Sequence, residues 1–423
     1  MKPRTYLGRR IIGGPPTWTR PVSKAPTPAQ ALDTILSRVT ALPIETVPLR
    51  RAVGRVLGQL VMPERDNPPF DRVCMDGVAI ASSAFASGAR HFHVQGTQAA
   101  GALPVALAAP DAAIEVMTGA VLPPGTDCVI PMEEYRLAGR DLELLPAASA
   151  RPARNVQRRG EDSRPGVPML QPGVRIRAAE AAVIASAGLA EISVTRAPRV
   201  RIVSTGDELV DPGRPIAEHQ VRRSNAYALT AALHEHGYSD ALDAHLVDDA
   251  ATMERAIGGL LDQCDVLVLS GGVSTGKFDF VPRALAANGV VEQFHEVAQR
   301  PGRPMWFGTG ANGQLVFGLP GNPVATLVCL VRFVLPALAA ASGSLPDTPP
   351  RFALTESFGA RKMTYFLPVK LDSQDGGAGT RAQPRAPNGP GDFLALAGTD
   401  GFVELPPSAD GYPAGFIAAF HRW

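Results

Sequence analysis

The chain contains the stretch Val266-Leu267-Val268-Leu269-Ser270-Gly271-Gly272-Val273-Ser274-Thr275-Gly276, in which a short apolar run leads directly into a glycine-rich loop. Four consecutive branched apolar residues predict a buried strand. A glycine-rich loop after a strand exposes several backbone N–H groups in a concave nest, which suits a phosphate or another oxyanion. The stretch therefore predicts an α/β fold with an anion-binding loop at the end of one strand.

A second loop, Leu319-Pro320-Gly321-Asn322-Pro323, follows another apolar run, Gln314–Phe317. Asn322 can cap a helix whose first residue is Pro323, and a helix start presents a positive dipole end. Two such loops on one sheet indicate a phosphorylated ligand. The expected anion-binding residues are Ser270, Gly271, Gly272, Ser274, Thr275, Gly276, Pro320, Gly321, Asn322 and Pro323.

The first loop also comes close to the nucleotide-binding P-loop. Residues 271–277 fit G-x-x-x-x-G-K, but the P-loop continues with a Ser or Thr that holds magnesium, and here that residue is Phe278. Pro282 stands where the helix after a P-loop should run, so a true P-loop is disfavoured. A ligand-free turn is the other alternative, and it explains neither the second loop nor the nearby carboxylate of Asp279.

Strands and helices are expected to alternate between Pro198 and Ser344. This alternation predicts an α/β domain with a mostly parallel sheet. The expected strands are Val200–Ser204, Ala244–Val247, Val266–Leu269, Val290–Phe294 and Leu315–Phe317, and the expected helices are Asn225–His236, Ala250–Gln263, Phe280–Asn288 and Pro323–Ala341.

Composition describes an ordinary multidomain protein. A chain of 423 residues with a net charge of +1 is too long for one core and too neutral for a nucleic-acid binder. The four cysteines have no metal-ligand spacing, which is typical of reduced thiols in the cytoplasm. The longest apolar segment, Pro323–Ala341, carries Arg332 and Pro336, so a buried helix is expected rather than a membrane span.

Carboxylates cluster after the predicted strands of the α/β part. Glu208 follows the first strand, Asp248 the second, and Asp279 lies just past the glycine loop. Because the ends of parallel strands gather on one rim, these oxygens could hold a hard cation such as Mg²⁺. The structural alternatives are a turn cap for Asp207 and a helix N-cap for Asp249.

Seven motifs occur in one order along the chain, and together they resemble the molybdopterin molybdenumtransferase family, the bacterial counterparts of the gephyrin E domain. Each motif is short, but their shared order makes the resemblance specific. The motifs are Pro68-Pro69-Phe70-Asp71 with Met75-Asp76-Gly77, Met117-Thr118-Gly119-Ala120, Arg158-Arg159-Gly160-Glu161-Asp162, Ser204-Thr205-Gly206-Asp207-Glu208-Leu209, Ser270-Gly271-Gly272-Val273-Ser274, Arg300-Pro301-Gly302-Arg303-Pro304 and Gly318-Leu319-Pro320-Gly321-Asn322-Pro323.

The resemblance implies a multidomain α/β plus β architecture and a homodimer whose active site combines the α/β domain of one protomer with the β domain of the other. The first residues, which are basic and lack acids, are expected to form a disordered tail. The expected divisions are a tail at 1–26, an elongated linker domain at 27–66 and 151–196, a β-rich domain at 67–150, an α/β molybdopterin-binding domain at 197–344 and a C-terminal β-barrel at 345–423.

The reaction implied by the resemblance is insertion of molybdate into adenylylated molybdopterin, with release of AMP. Glu208, Asp248 and Asp279 would position Mg²⁺ at the phosphoanhydride. Arg300 and Arg303 would attract phosphate or molybdate. The catalytic set is then Asp71, Thr118, Asp162, Glu208, Asp248, Asp279 and Arg300. Expected partners are the enzyme that adenylylates molybdopterin and the molybdoenzymes that accept the cofactor, with no nucleic acid and no membrane.

The chain departs from the family pattern at three positions. Glu296 stands where many members carry lysine, Lys277 where an acidic residue is more common, and Pro390 where serine is frequent. Because the first two changes are opposite in sign and flank one predicted strand, we expect Glu296 to pair with a nearby cation such as Lys277. A non-catalytic scaffold remains the alternative function, and retention of the whole carboxylate set argues against it.

Overall fold

The computed structural model describes residues 25–273, 280–373, 379–389 and 391–423. The chain forms two compact units. The first unit contains the described residues up to Thr40 together with Pro198–Leu338 and Asp347–Trp423, and the second contains Ala41–Ala197 and Ala339–Pro346. The helices are α1 (Pro28–Leu36), α2 (Leu49–Ala52), α3 (Ser82–Ala86), α4 (Ala178–Ser186), α5 (Ser224–Glu235), α6 (Ala250–Leu261), α7 (Val281–Ala287), α8 (Pro323–Cys329) and α9 (Leu335–Ala341).

The second unit is built on antiparallel and mixed β-structure. Its strands are β1 (Ile44–Pro48), β2 (Arg72–Val73), β3 (Gly77–Ile80), β4 (His91–Gln98), β5 (Ala112–Val116), β6 (Cys128–Pro131), β7 (Tyr135–Ala138), β8 (Asp141–Leu144), β9 (Val156–Gln157) and β10 (Glu191–Thr195). Six of them form one sheet in the order β6-β3-β5-β4-β8-β7, while β1 pairs with β10 and β2 with β9. The short β2–β9 pair places residues 71 and 158 close together.

The first unit contains a six-stranded sheet and a small barrel. Its strands are β11 (Val200–Thr205), β12 (Leu209–Val210), β13 (Val221–Arg222), β14 (Leu242–Leu246), β15 (Val266–Ser270), β16 (Val291–Phe294), β17 (Gln299–Arg300), β18 (Trp306–Thr309), β19 (Leu315–Leu319), β20 (Arg351–Leu354), β21 (Thr364–Ser373), β22 (Thr380–Pro384), β23 (Gly401–Leu405) and β24 (Ile417–Arg422). The sheet order is β14-β11-β15-β19-β18-β16. Strands β14, β11, β15, β19 and β16 run in one direction, and β18 runs antiparallel between β19 and β16.

The central strand β15 is buried on both faces, as its continuous apolar run predicts. Val266 and Val268 face one hydrophobic core, which includes residues of α5 and α8. Leu267 and Leu269 face the other core, which includes residues of α6 and α7. In the part of the chain that the structure describes, helices therefore cover both faces of the sheet, which leaves the strand ends as the place where a ligand can bind.

The C-terminal region closes into a five-stranded barrel. The strands run β21-β22-β20-β24-β23, and β23 pairs back with β21. The short strand β17 of the α/β region adds to β21 in parallel, with Arg300 opposite Tyr365. The expected multidomain α/β plus β architecture is thus confirmed, including the C-terminal barrel.

The long apolar helix lies mostly in the core. Pro323–Ala341 is long and apolar enough to cross a membrane by composition, with a mean hydropathy of 2.2, but 78% of that window is buried within the protein. A π-helical turn at Leu330–Val334 joins α8 to α9. Within this turn, Arg332 donates from Nε to a carboxylate oxygen of Glu404 in β23 at 2.8 Å. A mostly buried helix with an internal ion pair agrees with the core helix predicted for this segment.

Candidate functional site

Three loops of the α/β region leave the sheet side by side. In the parallel register Ser204 of β11 lies opposite Ser270 of β15, and Ser270 lies opposite Leu319 of β19. The loops that follow these strands begin at Gly206, Gly271 and Pro320. The sheet therefore brings both predicted anion-binding loops to one edge, next to the loop that carries Glu208.

The first glycine loop requires glycine for two reasons. Gly271 and Gly272 have φ angles of 94° and 64°, a left-handed conformation that other residues rarely adopt. A Cβ atom on Gly271 would lie 3.0 Å from the Thr205 carbonyl oxygen, and one on Gly272 would lie 2.8 Å from the Thr205 hydroxyl. The loop thus packs against the end of β11 with no room for side chains. Residues 274–279 lie outside the described residues, so the predictions for Ser274, Thr275, Gly276 and Asp279 are untested.

The second loop starts a helix at the same edge. The Asn322 side-chain oxygen accepts hydrogen bonds from the N–H groups of Val324 at 3.0 Å and Ala325 at 3.3 Å. Pro323 occupies the first helical position, where its missing N–H does no harm. The start of α8 therefore directs its positive end toward the edge that holds Gly271.

Asn225, in the first turn of α5, links the two loops, and the sequence did not single it out. Its amide nitrogen donates to the Ser270 hydroxyl oxygen and to the Gly321 carbonyl oxygen, both at 2.9 Å. The feature of the sequence that could have identified Asn225 is its polar side chain, which stands next to Ala226 and Leu229 on an otherwise apolar helix face. The role of Asn225 follows only once the fold places α5 beside both loops.

Among the residues that the structure describes, several buried oxygen atoms at this edge have no hydrogen-bond partner. They are the hydroxyls of Ser204 and Thr205 and the side-chain carbonyl of Asn225. Buried polar groups normally have hydrogen-bond partners, and unsatisfied ones are costly. These polar atoms lie next to the two predicted anion-binding loops and offer hydrogen-bonding groups to a ligand.

The neighbouring carboxylates have distinct roles. The Asp207 carboxylate accepts a hydrogen bond from the Asp248 N–H at 3.0 Å, which joins the loops after β11 and β14. Asp249 caps α6 by accepting from the Thr252 N–H at 2.8 Å, and hydrogen bonds from Thr252 lower the pKa of the Asp249 carboxyl. Glu208 is exposed, and its carboxylate lies close to Gly206. Asp249 is thus a helix cap, whereas Glu208 and Asp248 stand on adjacent loops at the edge.

Across residues 25–273 and the later described segments, no three metal-ligating side chains converge. Glu208 and Asp248 supply oxygen donors from two neighbouring loops, which is the donor type that Mg²⁺ prefers. The third predicted ligand, Asp279, lies outside the described residues. Two of the three predicted ligands, Glu208 and Asp248, thus lie on neighbouring loops at this edge.

Buried contacts hold the backbone of the Arg-Pro-Gly-Arg loop, residues 300–303, in place. Gln299 is fully buried, and its amide nitrogen donates to the carbonyls of Pro301 and Gly302, both at 3.2 Å. Gly302 has a φ angle of 91°, and a Cβ atom there would lie 2.7 Å from the Cys329 sulfur. This rigid backbone presents Arg300 and Arg303 on its exposed side.

Glu296 forms an ion pair with Arg303. One carboxylate oxygen accepts from Nη2 of Arg303 at 3.0 Å and from Nε at 3.2 Å. The expectation that Glu296 pairs with a cation thus finds a partner in Arg303, whereas Lys277 lies outside the described residues. Pro390, the third departure from the family pattern, also lies outside them.

A third arginine, Arg361, lies in the barrel near the same loop. Its guanidinium lies over the rings of Phe358 at 4.3 Å and Tyr365 at 4.6 Å. Arg361 thus contacts Tyr365, the residue that lies opposite Arg300 in the β17–β21 pair. Sequence reasoning missed Arg361, because only the pairing of the distant strands β17 and β21 brings Tyr365, which Arg361 contacts, opposite Arg300.

The second unit contains its own polar cluster around Asp71. The Asp71 carboxylate accepts from the Arg158 guanidinium at 2.6 Å and from the Arg159 N–H at 2.9 Å. Burial raises the pKa of Asp71, but these hydrogen bonds and the Arg158 charge lower it more, so the pKa lies below its ordinary value. Asp66 binds the Arg159 guanidinium at 2.6 Å. Asp71 is thus a carboxylate held by one guanidinium, that of Arg158, and by the backbone N–H of Arg159.

Thr118 is held by a different carboxylate in that unit. Its N–H and its hydroxyl both donate to one Asp76 oxygen at 2.7 Å. Hydrogen bonds from the Thr118 N–H and hydroxyl lower the pKa of Asp76. The Asp162 carboxylate accepts from the Gln157 amide at 2.8 Å. Asp76 is therefore a positioning residue that the predicted site had left out.

Comparisons with known proteins cover nearly the whole described chain. The family models that match are the MoeA N-terminal region (domains I and II) at residues 27–188, the probable molybdopterin binding domain at 201–340 and the MoeA C-terminal region (domain IV) at 353–422.

Among curated relatives, the molybdopterin molybdenumtransferase of Synechocystis sp. is 39% identical over 381 residues, which cover 89% of this chain and 95% of the relative. The enzyme of the same name from Haemophilus influenzae is 33% identical over 335 residues, or 78% of this chain and 80% of the relative. Among solved structures, a molybdopterin biosynthesis MoeA protein from Pyrococcus horikoshii is 26% identical with a TM-score of 0.78, covering 95% of this chain and all of that one. The chain therefore belongs to the molybdopterin molybdenumtransferase family.

Proposed function

We propose that this protein acts in molybdenum cofactor biosynthesis by inserting molybdate into adenylylated molybdopterin and releasing AMP. The observation that carries the proposal is the edge of the α/β sheet, where two anion-binding loops are fastened together by Asn225. The curated relatives are named as transferases, so the non-catalytic scaffold is not favoured.

The phosphate of the pterin substrate would bind between the two loops. Backbone N–H groups of the Gly271-Gly272 turn and the positive start of α8 attract negative charge. The unpartnered hydroxyls of Ser204 and Thr205 can donate hydrogen bonds to phosphate or pterin oxygens. A phosphorylated ligand would accept hydrogen bonds from these N–H groups and hydroxyls at the same time.

Glu208 and Asp248, with Asp279, are the residues that would hold Mg²⁺ beside that pocket. The ion, when bound, would neutralise negative charge that develops on the departing adenylate phosphate. Asp207 keeps the loop of Asp248 against the loop of Glu208 through its hydrogen bond to the Asp248 N–H. This tie would set the separation of the two carboxylates before the cation arrives.

The arginines would bind molybdate, which is a substrate. Arg300 is exposed on a rigid loop, and Arg361 is oriented by two aromatic rings. A guanidinium offers paired N–H donors to an oxyanion and stays charged at every working pH. Arg303 belongs to the same loop, although Glu296 shares its charge.

Asp71, Thr118 and Asp162 of the second unit are proposed catalytic residues of the same reaction. We also propose a cytoplasmic homodimer that receives its substrate from an adenylylating enzyme and passes the finished cofactor to molybdoenzymes. Light scattering of the purified protein at micromolar concentration should give twice the mass of 44.5 kDa. A mass equal to one chain would exclude the dimer.

The direct test is to incubate the purified protein with adenylylated molybdopterin, Mg²⁺ and molybdate. AMP should appear in step with the molybdenum cofactor, and omission of molybdate should slow its release. A control with molybdopterin that has not been adenylylated should yield no AMP. Failure to release AMP under saturating conditions would contradict the enzymatic proposal and favour the scaffold.

A further inference from the structure

The ion pair between Glu296 and Arg303 lies in the arginine loop itself. Both side chains are partly exposed, with 41% of the Glu296 side chain and 54% of the Arg303 side chain accessible. The carboxylate oxygen contacts two nitrogens of one guanidinium, at 3.0 and 3.2 Å. An incoming oxyanion would need those same N–H donors.

The backbone holds the two residues together. The Val297 N–H donates to the Arg303 carbonyl at 2.9 Å, so the chain folds back on itself between them. Gln299 and Gly302 fix the turn from the buried side. The backbone therefore places Glu296 next to Arg303 in the arginine loop.

The three arginines of this region differ in their partners. Among the residues that the structure describes, neither Arg300 nor Arg361 has a carboxylate partner, whereas Arg303 has Glu296. The Glu296–Arg303 pair contributes no net charge, and its carboxylate repels a dianion that approaches Arg300. The positive field of the loop is therefore weaker than its arginine content suggests.

We infer that Glu296 sets the oxyanion affinity of this protein by competing with molybdate for Arg303. The inference rests on the proposed function, because it assumes that the arginine loop receives molybdate. An exposed ion pair is weak, so a dianion can displace the carboxylate, but the displacement lowers the apparent affinity. Glu296 thus determines the affinity of the site, because it raises the molybdate concentration at which the site fills.

The test is the Glu296→Gln variant of the full chain. Its dissociation constant for molybdate, measured by calorimetry at low ionic strength, should fall about three- to tenfold, and its KM for molybdate should fall alike. Glu235→Gln is the matched control, since Glu235 is an exposed carboxylate at the far end of α5 and its loss changes net charge equally. An unchanged or weaker molybdate affinity in Glu296→Gln would overturn the inference.

A double-mutant cycle separates competition from simple repulsion. If Glu296 acts through Arg303, Glu296→Gln should increase the molybdate affinity of the wild-type protein. The same change should have little effect on the molybdate affinity of the Arg303→Gln variant. An equal gain in both backgrounds would show that the ion pair is irrelevant. Glu296→Ala provides a second removal of the charge and should also tighten binding.

The binding and activity readouts distinguish the two proposals. If the wild-type protein releases AMP and Glu296→Gln changes neither the dissociation constant nor the KM for molybdate, only the role of Glu296 is refuted. Wild-type protein that neither binds molybdate nor releases AMP would refute the proposed function instead. Tighter molybdate binding by Glu296→Gln in calorimetry supports the inference independently of turnover.

Discussion

Asn225 donates its side-chain amide to the hydroxyl oxygen of Ser270 across 2.9 Å, which fastens the first turn of α5 to the loop after β15. The same amide reaches the Gly321 carbonyl in the other anion-binding loop. One side chain thus sets the separation of two loops that come from different strands. Pre-organisation of this kind is expected where a rigid ligand must be positioned accurately.

Replacing Asn225 by alanine should therefore impair substrate binding more than it impairs stability. The loss of two hydrogen bonds, of which the one to Ser270 is partly buried, should cost about 1–3 kcal/mol in the free energy of unfolding. The KM for adenylylated molybdopterin should rise at least about tenfold, because the loops lose their spacing. Chemical denaturation and AMP release measure the two effects.

Asn288→Ala is the matched control for Asn225→Ala. The Asn288 amide donates to the carbonyls of Glu254 and Ala284, both at 2.8 Å, in the same unit but at the end of α7. It should lose similar stability while the KM stays within about twofold. Equal KM changes in the two variants would show that Asn225 is merely structural.

The glycine loop offers a second matched pair of variants. Gly271→Ala forces a left-handed residue and places a Cβ atom 3.0 Å from the Thr205 carbonyl oxygen. Gly289→Ala also has a positive φ angle, of 74°, but nothing lies within 4 Å of its new Cβ atom. Both should lose about 1–2 kcal/mol of stability from backbone strain.

Only Gly271→Ala should also disturb the ligand site, because its Cβ atom pushes the loop away from the end of β11. Its KM for adenylylated molybdopterin should rise, whereas that of Gly289→Ala should remain at the wild-type value. Steady-state AMP release gives both constants. A normal KM in Gly271→Ala would mean that the loop does not contact the substrate.

The sequence was a good guide to the fold where the pattern was local. The apolar run Val266–Leu269, which forms most of β15 (Val266–Ser270), and the capped start of α8 both appear in the structure as predicted. Strand β18, Trp306–Thr309, was missed because a short run after a Pro-Gly loop resembles a turn. The antiparallel direction of β18 could not be predicted either, since tertiary pairing rather than local pattern sets strand direction.

The candidate site was predictable only in part, for the same reason. The loops at Gly271 and Asn322 carry their chemistry in adjacent residues, so the sequence reveals them. Asn225 and Arg361 act through contacts with segments far away in the chain, which no local pattern records. The partner of Glu296 lies seven residues along the chain, and its identity depends on how the backbone turns between them.

In the second unit, Asp71→Asn should slow catalysis without unfolding the protein. The change removes the negative charge that pairs with Arg158 and leaves the guanidinium without its partner. Because its pKa is already lowered, Asp71 is ionised throughout the neutral range, so wild-type activity should show no inflection from it above about pH 5. AMP release by Asp71→Asn at saturating substrate should fall at least about tenfold.

Glu134→Gln is the control for the Asp71 variant. Glu134 binds Arg154 in the same unit through a comparable carboxylate–guanidinium pair. Its loss should reduce stability but leave the turnover number within about twofold of wild type. If both variants lose turnover to the same degree, Asp71 has a structural role only.

The buried ion pair between Arg332 and Glu404 should dominate the acid stability of the first unit. Only 10% of the Arg332 side chain and 23% of the Glu404 side chain are exposed. Burial raises the pKa of Glu404, but hydrogen bonds and charges from His421 and Arg332 lower it more, so the net shift is downward. A carboxylate with a lowered folded-state pKa stabilises the protein fully above its unfolded pKa, about 4.3, and loses that contribution as the pH falls through the folded value.

Glu404→Gln should therefore unfold more easily at neutral pH, by about 3 kcal/mol, because Arg332 is left as an unpaired buried charge. The difference from wild type should shrink as the pH falls below the unfolded pKa of about 4.3, because the unfolded chain then binds a proton that the folded carboxylate does not. Urea denaturation monitored by tryptophan fluorescence between pH 3 and 8 measures both effects.

Glu356→Gln removes an exposed carboxylate from the same barrel and should follow wild type at every pH. A stability gap for Glu404→Gln that stayed constant from pH 8 to pH 3 would show that the ionised pair does not stabilise the fold.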